Sequence, residues 1–310
     1  MPPDEGQEEK AMSKAHEVIT ERILQMMETG LCPWRRPWKS LKASGLTPKN
    51  HNGREYRGAN FFLLGMLHYE LPIFLTFKQA QALGGQVTRG AKGFPVIFWK
   101  LLDATVANAE SPEQIGKKIP MARIYTVFNV SQVEGLTLPK WALDKLPLPS
   151  PAFDPIADAE ALVQAMPNRP TIYHGADTAF YQPSSDTVHL PDRKWFHDAE
   201  GYYETLFHEL GHSTGHQKRL NRKGLTAPTY FGSHDYSQEE LVAELTAAFL
   251  SCETGLDATR LGNMASYCQG WFERLKKEPK LFLTASAQAQ KAADFILNKK
   301  AFGETQGEAG

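Results

Sequence analysis

The chain has 310 residues, of which 42% are hydrophobic and 22% charged, and its formal net charge is −1. It contains no run near the roughly 18 apolar residues of a membrane span, so we expect a soluble protein, and its length favours two domains. The three cysteines lack the spacing of a disulfide framework or a thiolate metal site, and no secretory signal opens the sequence. These features exclude a disulfide-rich secreted protein and indicate a cytoplasmic protein without a membrane partner.

The charge is divided unevenly along the chain. Residues 12–130 hold 16 Lys and Arg against 8 Asp and Glu, a net +8, whereas residues 131–310 hold 17 against 23, a net −6. A basic half in a nearly neutral protein favours a polyanionic partner, and nucleic acid is the commonest one.

The first half contains the elements of a small domain. Residues 1–11 are polar and acidic, and we treat them as an N-terminal extension or an expression scar. Apolar spacing predicts a helix over 15–29, which is followed by a region rich in proline and glycine turns. Two strands are predicted over 95–102 and 123–130, with an exposed loop between them. We therefore predict a basic α+β domain over 12–135 that binds nucleic acid.

A proline-rich stretch over 136–155 follows this domain, and its composition predicts an extended linker. Beyond it the predicted strands are 171–174 and 187–190, and the predicted helices are 198–215, 237–255, 261–277 and 285–298. This pattern predicts a second, mainly helical domain with a small sheet over 156–298 and a tail over 299–310. The fold class is therefore α+β with two domains.

The helix that is predicted to begin after Asp198 carries the sequence HELGH, an HExxH motif, from His208 to His212. Residues four apart lie on the same helical face, so both imidazoles can reach one Zn²⁺, while Glu209 projects toward the water that the metal activates. The predicted buried stripe of this helix is Tyr203, Leu206, Phe207 and Leu210.

A catalytic zinc site needs a third protein ligand, and the next helix offers Glu240 and Glu244, four apart on one face. We assign Glu240 as the ligand and Glu244 as the acceptor of a hydrogen bond from a ligating histidine. Ser237-x-x-Glu240 is also a capping-box sequence; in that alternative Glu240 binds backbone N–H groups and Glu244 is the ligand. Manganese could occupy the same ligands, since availability as well as affinity decides occupancy.

The motif indicates metal-assisted hydrolysis with Glu209 as general base and water as nucleophile. A donor to the oxyanion is also required, and the sequence leaves four candidates open: Tyr202, His216, His234 and Tyr236. A metal-dependent nuclease is a weaker hypothesis, because phosphodiester sites favour carboxylate-rich and often two-metal clusters.

The N-terminal half interleaves aromatic and basic residues, beginning with the segment PWRRPWK. Cations neutralise phosphates and exposed aromatic faces stack on unpaired bases, which favours single-stranded over duplex DNA. The alternative is that the tryptophans are core residues held by the prolines. The predicted DNA-binding residues are Trp34, Arg35, Arg36, Trp38, Lys39, Lys49, Arg54, Tyr56, Arg57 and Asn60.

The strings ITERILQMMETGLCPWRRPW, NGREYRGANFFLL and VFNVSQVEGL resemble the N-terminal domain of the ArdC family of plasmid antirestriction proteins, which is also found in plasmid primase-related proteins. YYETLFHELGHSTGHQKRLNR and FGSHDYSQEELVAELTAAFL resemble the C-terminal zincin domain of that family. The resemblance implies a domain that binds single-stranded DNA and a domain similar to DNA-associated metalloproteases of the Spartan type. It also implies that His208, His212 and Glu240 bind the metal and that Glu209 is the catalytic acid/base.

These inferences give two hypotheses for the function. In the first, an antirestriction protein binds single-stranded DNA, protects incoming conjugative plasmid DNA from host restriction, and uses a metalloprotease domain against host restriction-modification proteins. In the alternative, the protein coats single-stranded DNA without catalysis and its metal site is structural.

Overall fold

The computed structural model describes residues 5–28, 34, 47–67, 69–103, 118–137, 155–222, 234–256 and 265–299. These residues form two compact units. The first contains the described residues up to 137, apart from Trp34, together with Gln269–Leu283; the second contains Trp34 and the other described residues from 155 onward. Most of the predicted linker over 136–155 lies outside the described residues, so the predicted domain boundaries stay predictions.

The first unit combines helices with two small sheets, as the predicted α+β class requires. Its helices are α1 (Glu5–Met27), α2 (Ala59–Gly65) and α3 (Phe77–Ala82). Its strands are β1 (Lys49–Asn50), β2 (Ile73–Thr76), β3 (Gln86–Val87), β4 (Phe94–Asp103), β5 (Lys118–Asn129) and β6 (Val133–Glu134). The helix predicted over 15–29 is confirmed but begins earlier, and the two predicted strands are confirmed as β4 and β5, each extended into the predicted loop.

The larger sheet has the order β1-β2-β5-β4, with β1 parallel to β2 and the other pairs antiparallel, while β3 pairs with β6. Side chains alternate between the two faces of a strand, and a cluster of buried apolar residues packs against part of each face of this sheet. One core cluster includes Phe74, Val96 and Val127, and the other includes Ile73 and Leu75. The sheet is therefore the central layer of the first unit.

The side chain of Asn60 forms hydrogen bonds to the backbone of β4, the terminal strand of this sheet. Its side-chain oxygen accepts a hydrogen bond of 2.8 Å from the Ile97 N–H, and its amide nitrogen donates one of 2.6 Å to the Ile97 carbonyl. Asn60 is only 6% exposed, so both bonds are shielded from water. The amide thus satisfies both backbone groups of Ile97.

The rest of the chain contains helices α4 (Pro155–Ala165), α5 (Ala199–Ser213), α6 (His234–Thr254), α7 (Ala265–Lys277) and α8 (Leu281–Ile296). Its strands are β7 (Thr171–His174), β8 (Phe180–Gln182) and β9 (Thr187–Leu190). They form a sheet in which β9 is central, parallel to β7 and antiparallel to β8. Both strands predicted here are confirmed as β7 and β9, whereas β8 was not predicted.

The cap predicted for α5 is confirmed, because the Asp198 carboxylate accepts a 2.8 Å hydrogen bond from the Gly201 N–H. The helix ends at Ser213, two residues before the predicted glycine stop. Along the described residues, no helix combines the length and the apolar character that crossing a membrane requires.

Candidate metal centre

The HExxH motif lies in the last two turns of α5. The predicted apolar stripe is confirmed, since Tyr203, Leu206, Phe207 and Leu210 are each at most 2% exposed. The burial of this stripe fixes the rotation of the helix, and the two histidines of the motif lie beside it. His208 and His212 side chains retain 22% and 12% exposure, respectively. The motif is therefore anchored by apolar packing while its imidazoles keep access to solvent.

The three predicted ligands converge on one point. The Nε2 atoms of His208 and His212 lie 3.1 Å apart, and each is 3.6 Å from an oxygen of Glu240. One donor atom from each residue falls within 4.8 Å of the other two. Metal–ligand bonds of about 2.0–2.2 Å in a tetrahedral arrangement separate the donor atoms by roughly 3.3–3.6 Å, so the cluster fits one divalent ion.

Glu240 is available for this role because of where α6 begins. The helix starts at His234, so Ser237 lies inside its first turn and is not the N-cap that the capping-box alternative requires. The structure brings Glu240 to the histidines, and it does not place Glu244 in that cluster.

A second carboxylate orients His212, and the sequence reasoning missed it. Glu239 Oε1 lies 3.4 Å from His212 Nδ1, and the same carboxylate accepts hydrogen bonds from Arg222, including one of 2.9 Å from Nε. The side chains of Arg222 and Glu239 are each 8% exposed. At His212 this role therefore belongs to Glu239, while the hydrogen bond predicted for Glu244 stays a prediction. Glu239 lies three and four residues before Val242 and Ala243, which the structure buries but which were not part of the apolar face predicted from the sequence.

The cluster carries an excess of negative charge. Burial lowers the pKa of His208, but the hydrogen bond to Glu240 and the charges of Glu244 and Glu209 outweigh burial and raise it to about 9. The surrounding carboxylates thus stabilise positive charge at this point, as they would stabilise a bound cation. Glu244 acts on this site through its negative charge, which raises the pKa of His208.

Gly211, the glycine of the motif, lies where α6 packs closely against α5. A Cβ at this position would be 3.1 Å from the Ala243 Cα, 3.2 Å from the Thr246 Cβ and 3.3 Å from the Ala243 carbonyl oxygen. Only a glycine lets the two backbones approach this closely without displacement. The approach brings Glu240 within reach of the two histidines of α5.

Two of the four oxyanion candidates have other partners. The Tyr202 hydroxyl lies 2.9 Å from His174 Nε2 and is buried, and His216 lies 3.8 Å from the Asp186 carboxylate. Burial alone would raise the pKa of Asp186, but hydrogen bonds from Arg219 and Tyr181 outweigh it and hold the pKa below its usual range. The side chains of the other two candidates, His234 and Tyr236, lie outside the described residues.

The predicted DNA-binding residues divide into three groups. Trp34, Tyr56 and Asn60 are 1%, 6% and 6% exposed, so the prediction that they present surfaces to DNA is not supported by their positions; they are packed in the interior. Lys49 is also largely buried and forms an ion pair with Glu55 at 3.5 Å. Arg54 is exposed and Arg57 is partly exposed. The remaining four, Arg35, Arg36, Trp38 and Lys39, lie outside the described residues.

Comparison with known families gives two matches along the chain. Residues 13–128 match the N-terminal domain of anti-restriction factor ArdC, and residues 157–288 match a zincin-like metallopeptidase. Two Escherichia coli proteins named DNA primase TraC are each 35% identical over 91% and 95% of this chain, which spans only 27% and 20% of their lengths. Protein y4eC of Sinorhizobium fredii is 34% identical over 91% of both chains.

Two solved structures are similar over nearly the whole chain. The metal-free antirestriction ArdC protein from plasmid R388 is 33% identical with a TM-score of 0.67, covering 92% of this chain and 99% of that one. Its Mn(II)-bound form is 32% identical with a TM-score of 0.67, covering 91% and 97%. The two family matches, in the order predicted from the sequence, and these full-length similarities show that the chain belongs to the ArdC family of antirestriction proteins.

Proposed function

We propose that this chain is an antirestriction protein that binds single-stranded DNA and hydrolyses protein at a metal-dependent site. The convergence of His208, His212 and Glu240 on one helix pair, next to Glu209, carries the proposal. Structural zinc sites are closed by four protein ligands, whereas catalytic sites use three. Among the residues that the structure describes, the donor set has three members, which supports catalysis over a purely structural metal site.

When bound, a divalent cation polarises a carbonyl group and lowers the pKa of water. Glu209, which is 7% exposed and follows His208 directly, takes a proton from the attacking water and delivers it to the leaving amine. Glu239, itself bound by Arg222, orients the imidazole of His212 through its Nδ1 atom. Each of these residues has a defined role in peptide hydrolysis.

Two histidines and one carboxylate suit Zn²⁺, and we propose Zn²⁺ as the metal with Mn²⁺ as the alternative. The Mn(II)-bound structure of the R388 protein supports the alternative. Direct metal analysis of the purified protein distinguishes them.

The N-terminal half supports DNA as the partner because residues 12–130 carry a net +8 and match the ArdC N-terminal domain. The similarity to proteins named DNA primase fits a role on DNA. We propose that the chain acts in the cytoplasm on incoming conjugative plasmid DNA, and that host restriction-modification proteins are its substrates. The alternative is a protein that coats single-stranded DNA without cleaving anything.

Glu209→Gln tests the proposal because it keeps the ligands and removes the base. Wild type, Glu209→Gln and His208→Ala are incubated with candidate restriction-complex subunits, with and without single-stranded DNA, and cleavage is followed by gel and mass spectrometry. We expect wild type alone to cleave, Glu209→Gln to retain one bound metal per chain without cleaving, and His208→Ala to lose the metal. Full antirestriction activity of Glu209→Gln in conjugation would support the coating alternative.

A further inference from the structure

Two exposed aromatic rings lie together on the sheet of the first unit. Phe98 on β4 is 37% exposed and Tyr125 on β5 is 40% exposed. Their ring centroids are 5.7 Å apart with an interplanar angle of 76°, an edge-to-face contact. Large apolar rings at the surface are informative, because folding alone would favour their burial.

The rings share their face of the sheet with a cation. Phe98 pairs with Arg123, and the next pair on that face is Val96 with Tyr125, so the alternation of a strand places Phe98, Tyr125 and Arg123 on one side. Arg123 is exposed, and it forms no ion pair within the described part of the chain. Neither Phe94–Phe98 nor Ala122–Asn129 contains Asp or Glu. The patch is thus aromatic and positively charged.

Tyr56 and Asn60, two buried residues of the predicted DNA-binding set, contact the strand that carries Phe98. Tyr56 contacts Phe98 with ring centroids 6.0 Å apart, and Asn60 holds Ile97, the residue before Phe98, through two backbone hydrogen bonds. These contacts fix the strand and one of its rings before any ligand arrives. A rigid aromatic surface binds with less loss of conformational entropy than a mobile one.

We propose that Phe98, Tyr125 and Arg123, here called the aromatic platform, form a binding surface for unpaired bases of single-stranded DNA. Every base has a π face that can stack on an aromatic ring, whereas duplex bases are already stacked on each other. Arg123 lies beside the rings, where it neutralises a phosphate of the same strand. The charge of the patch and the net +8 of residues 12–130 favour a polyanion over an apolar protein surface. The exposed rings favour single-stranded DNA over an acidic protein surface, because unpaired bases stack on them. This inference rests on the proposed function, because it assigns the surface for the DNA binding proposed there.

The test measures the affinity of the full chain for two labelled oligomers by fluorescence anisotropy. One is oligo(dT), and the other is an oligomer of abasic sites that keeps the phosphates but lacks the bases. Phe98→Leu and Tyr125→Leu keep a smaller apolar side chain and remove the flat ring. Phe180→Leu is the matched control, because Phe180 is a similarly exposed ring, 41%, on the sheet of the second unit. Circular dichroism melts compare the stability of all variants.

We expect each platform variant to bind oligo(dT) about 5- to 150-fold more weakly, and Phe180→Leu to bind as wild type does. For the abasic oligomer, wild type and the double variant Phe98→Leu/Tyr125→Leu should have equal affinity. Arg123→Ala should weaken the binding of both oligomers. It should also reduce the slope of log affinity against log salt concentration by about 0.7, the value for one single-strand phosphate contact.

The outcomes separate this inference from the proposed function. If wild type binds oligo(dT) and the double variant binds it equally well, the platform is wrong while DNA binding stands. The same conclusion follows if Phe180→Leu loses as much affinity as the platform variants do, or if the double variant only changes self-association in analytical ultracentrifugation. If wild type does not bind oligo(dT), the DNA-binding function itself is wrong.

Discussion

Glu239→Gln should destabilise the metal-free protein strongly, because it removes one charge of a buried ion pair. Arg222 and Glu239 are each 8% exposed, and the substitution leaves the guanidinium without its counter-charge. Breaking such a pair from one side costs about 3–5 kcal/mol. At about 2–4 °C per kcal/mol for a domain of this size, the melting temperature should fall by roughly 6–20 °C.

The same substitution should weaken metal binding. Glu239 accepts the hydrogen bond of His212 Nδ1, and glutamine offers only a neutral acceptor there. Mutation of such a partner lowers metal affinity by about 10- to 100-fold. The two effects are separable: thermal melts in chelator report the metal-free stability, and competition titration with a chromogenic chelator reports the affinity for Zn²⁺ and Mn²⁺.

Glu253→Gln is the matched control. It makes the same chemical change on the same helix, but at an ion pair with Lys299 in which the side chains are 29% and 48% exposed. Exposed pairs contribute at most about 1 kcal/mol, so this variant should melt within a few degrees of wild type. If Glu239→Gln melts as Glu253→Gln does and binds metal with wild-type affinity, the role assigned to Glu239 and Arg222 is wrong.

Three further predictions concern packing and pH. Gly211→Ala should cost about 1–3 kcal/mol and also lower metal affinity, because the methyl group forces α5 and α6 apart; chelator titration and denaturant melts check both. Asp186→Asn should lose about 3–5 kcal/mol at neutral pH by stranding the buried Arg219. Because the folded pKa of Asp186 is lowered, its contribution is complete above about pH 4 and lost as pH falls through the folded value, so the two proteins should converge in acid melts. Asn60→Ala should speed hydrogen exchange of the Ile97 amide and cost about 1–3 kcal/mol for each backbone group left unpaired; unchanged exchange would contradict the contact.

The parts of the fold that the sequence predicted are those set by local pattern. Asp198 and the apolar stripe of α5 could be recognised because capping and helical periodicity act within a few residues. β8 was missed because a strand of three residues is too short to show an alternating pattern. The ends of β4 and β5 were underestimated because pairing between them extends both strands past their apolar runs.

The candidate site was predictable only in part, for a similar reason. The spacing of the HExxH motif specifies two donors on one helical turn, so the sequence indicates them directly. Glu239 acts on His212 across 27 residues of chain, and only helix packing brings the two together. Tyr56 and Asn60 looked exposed because they stand among cations, yet the sheet buries them and presents Phe98 and Tyr125 instead. Tertiary packing, rather than composition, decides which rings reach the surface.

The hydrogen bonds of Asn60 also bear on how copies of this protein behave toward each other. β4 is the terminal strand of the described sheet, and a free strand of this kind offers N–H and C=O groups that another chain can pair with. At Ile97 those groups are already occupied by a side-chain amide from the same molecule. A strand from a neighbouring molecule therefore meets no free donor or acceptor at Ile97, so a continuous ladder of hydrogen bonds along this edge would be interrupted there.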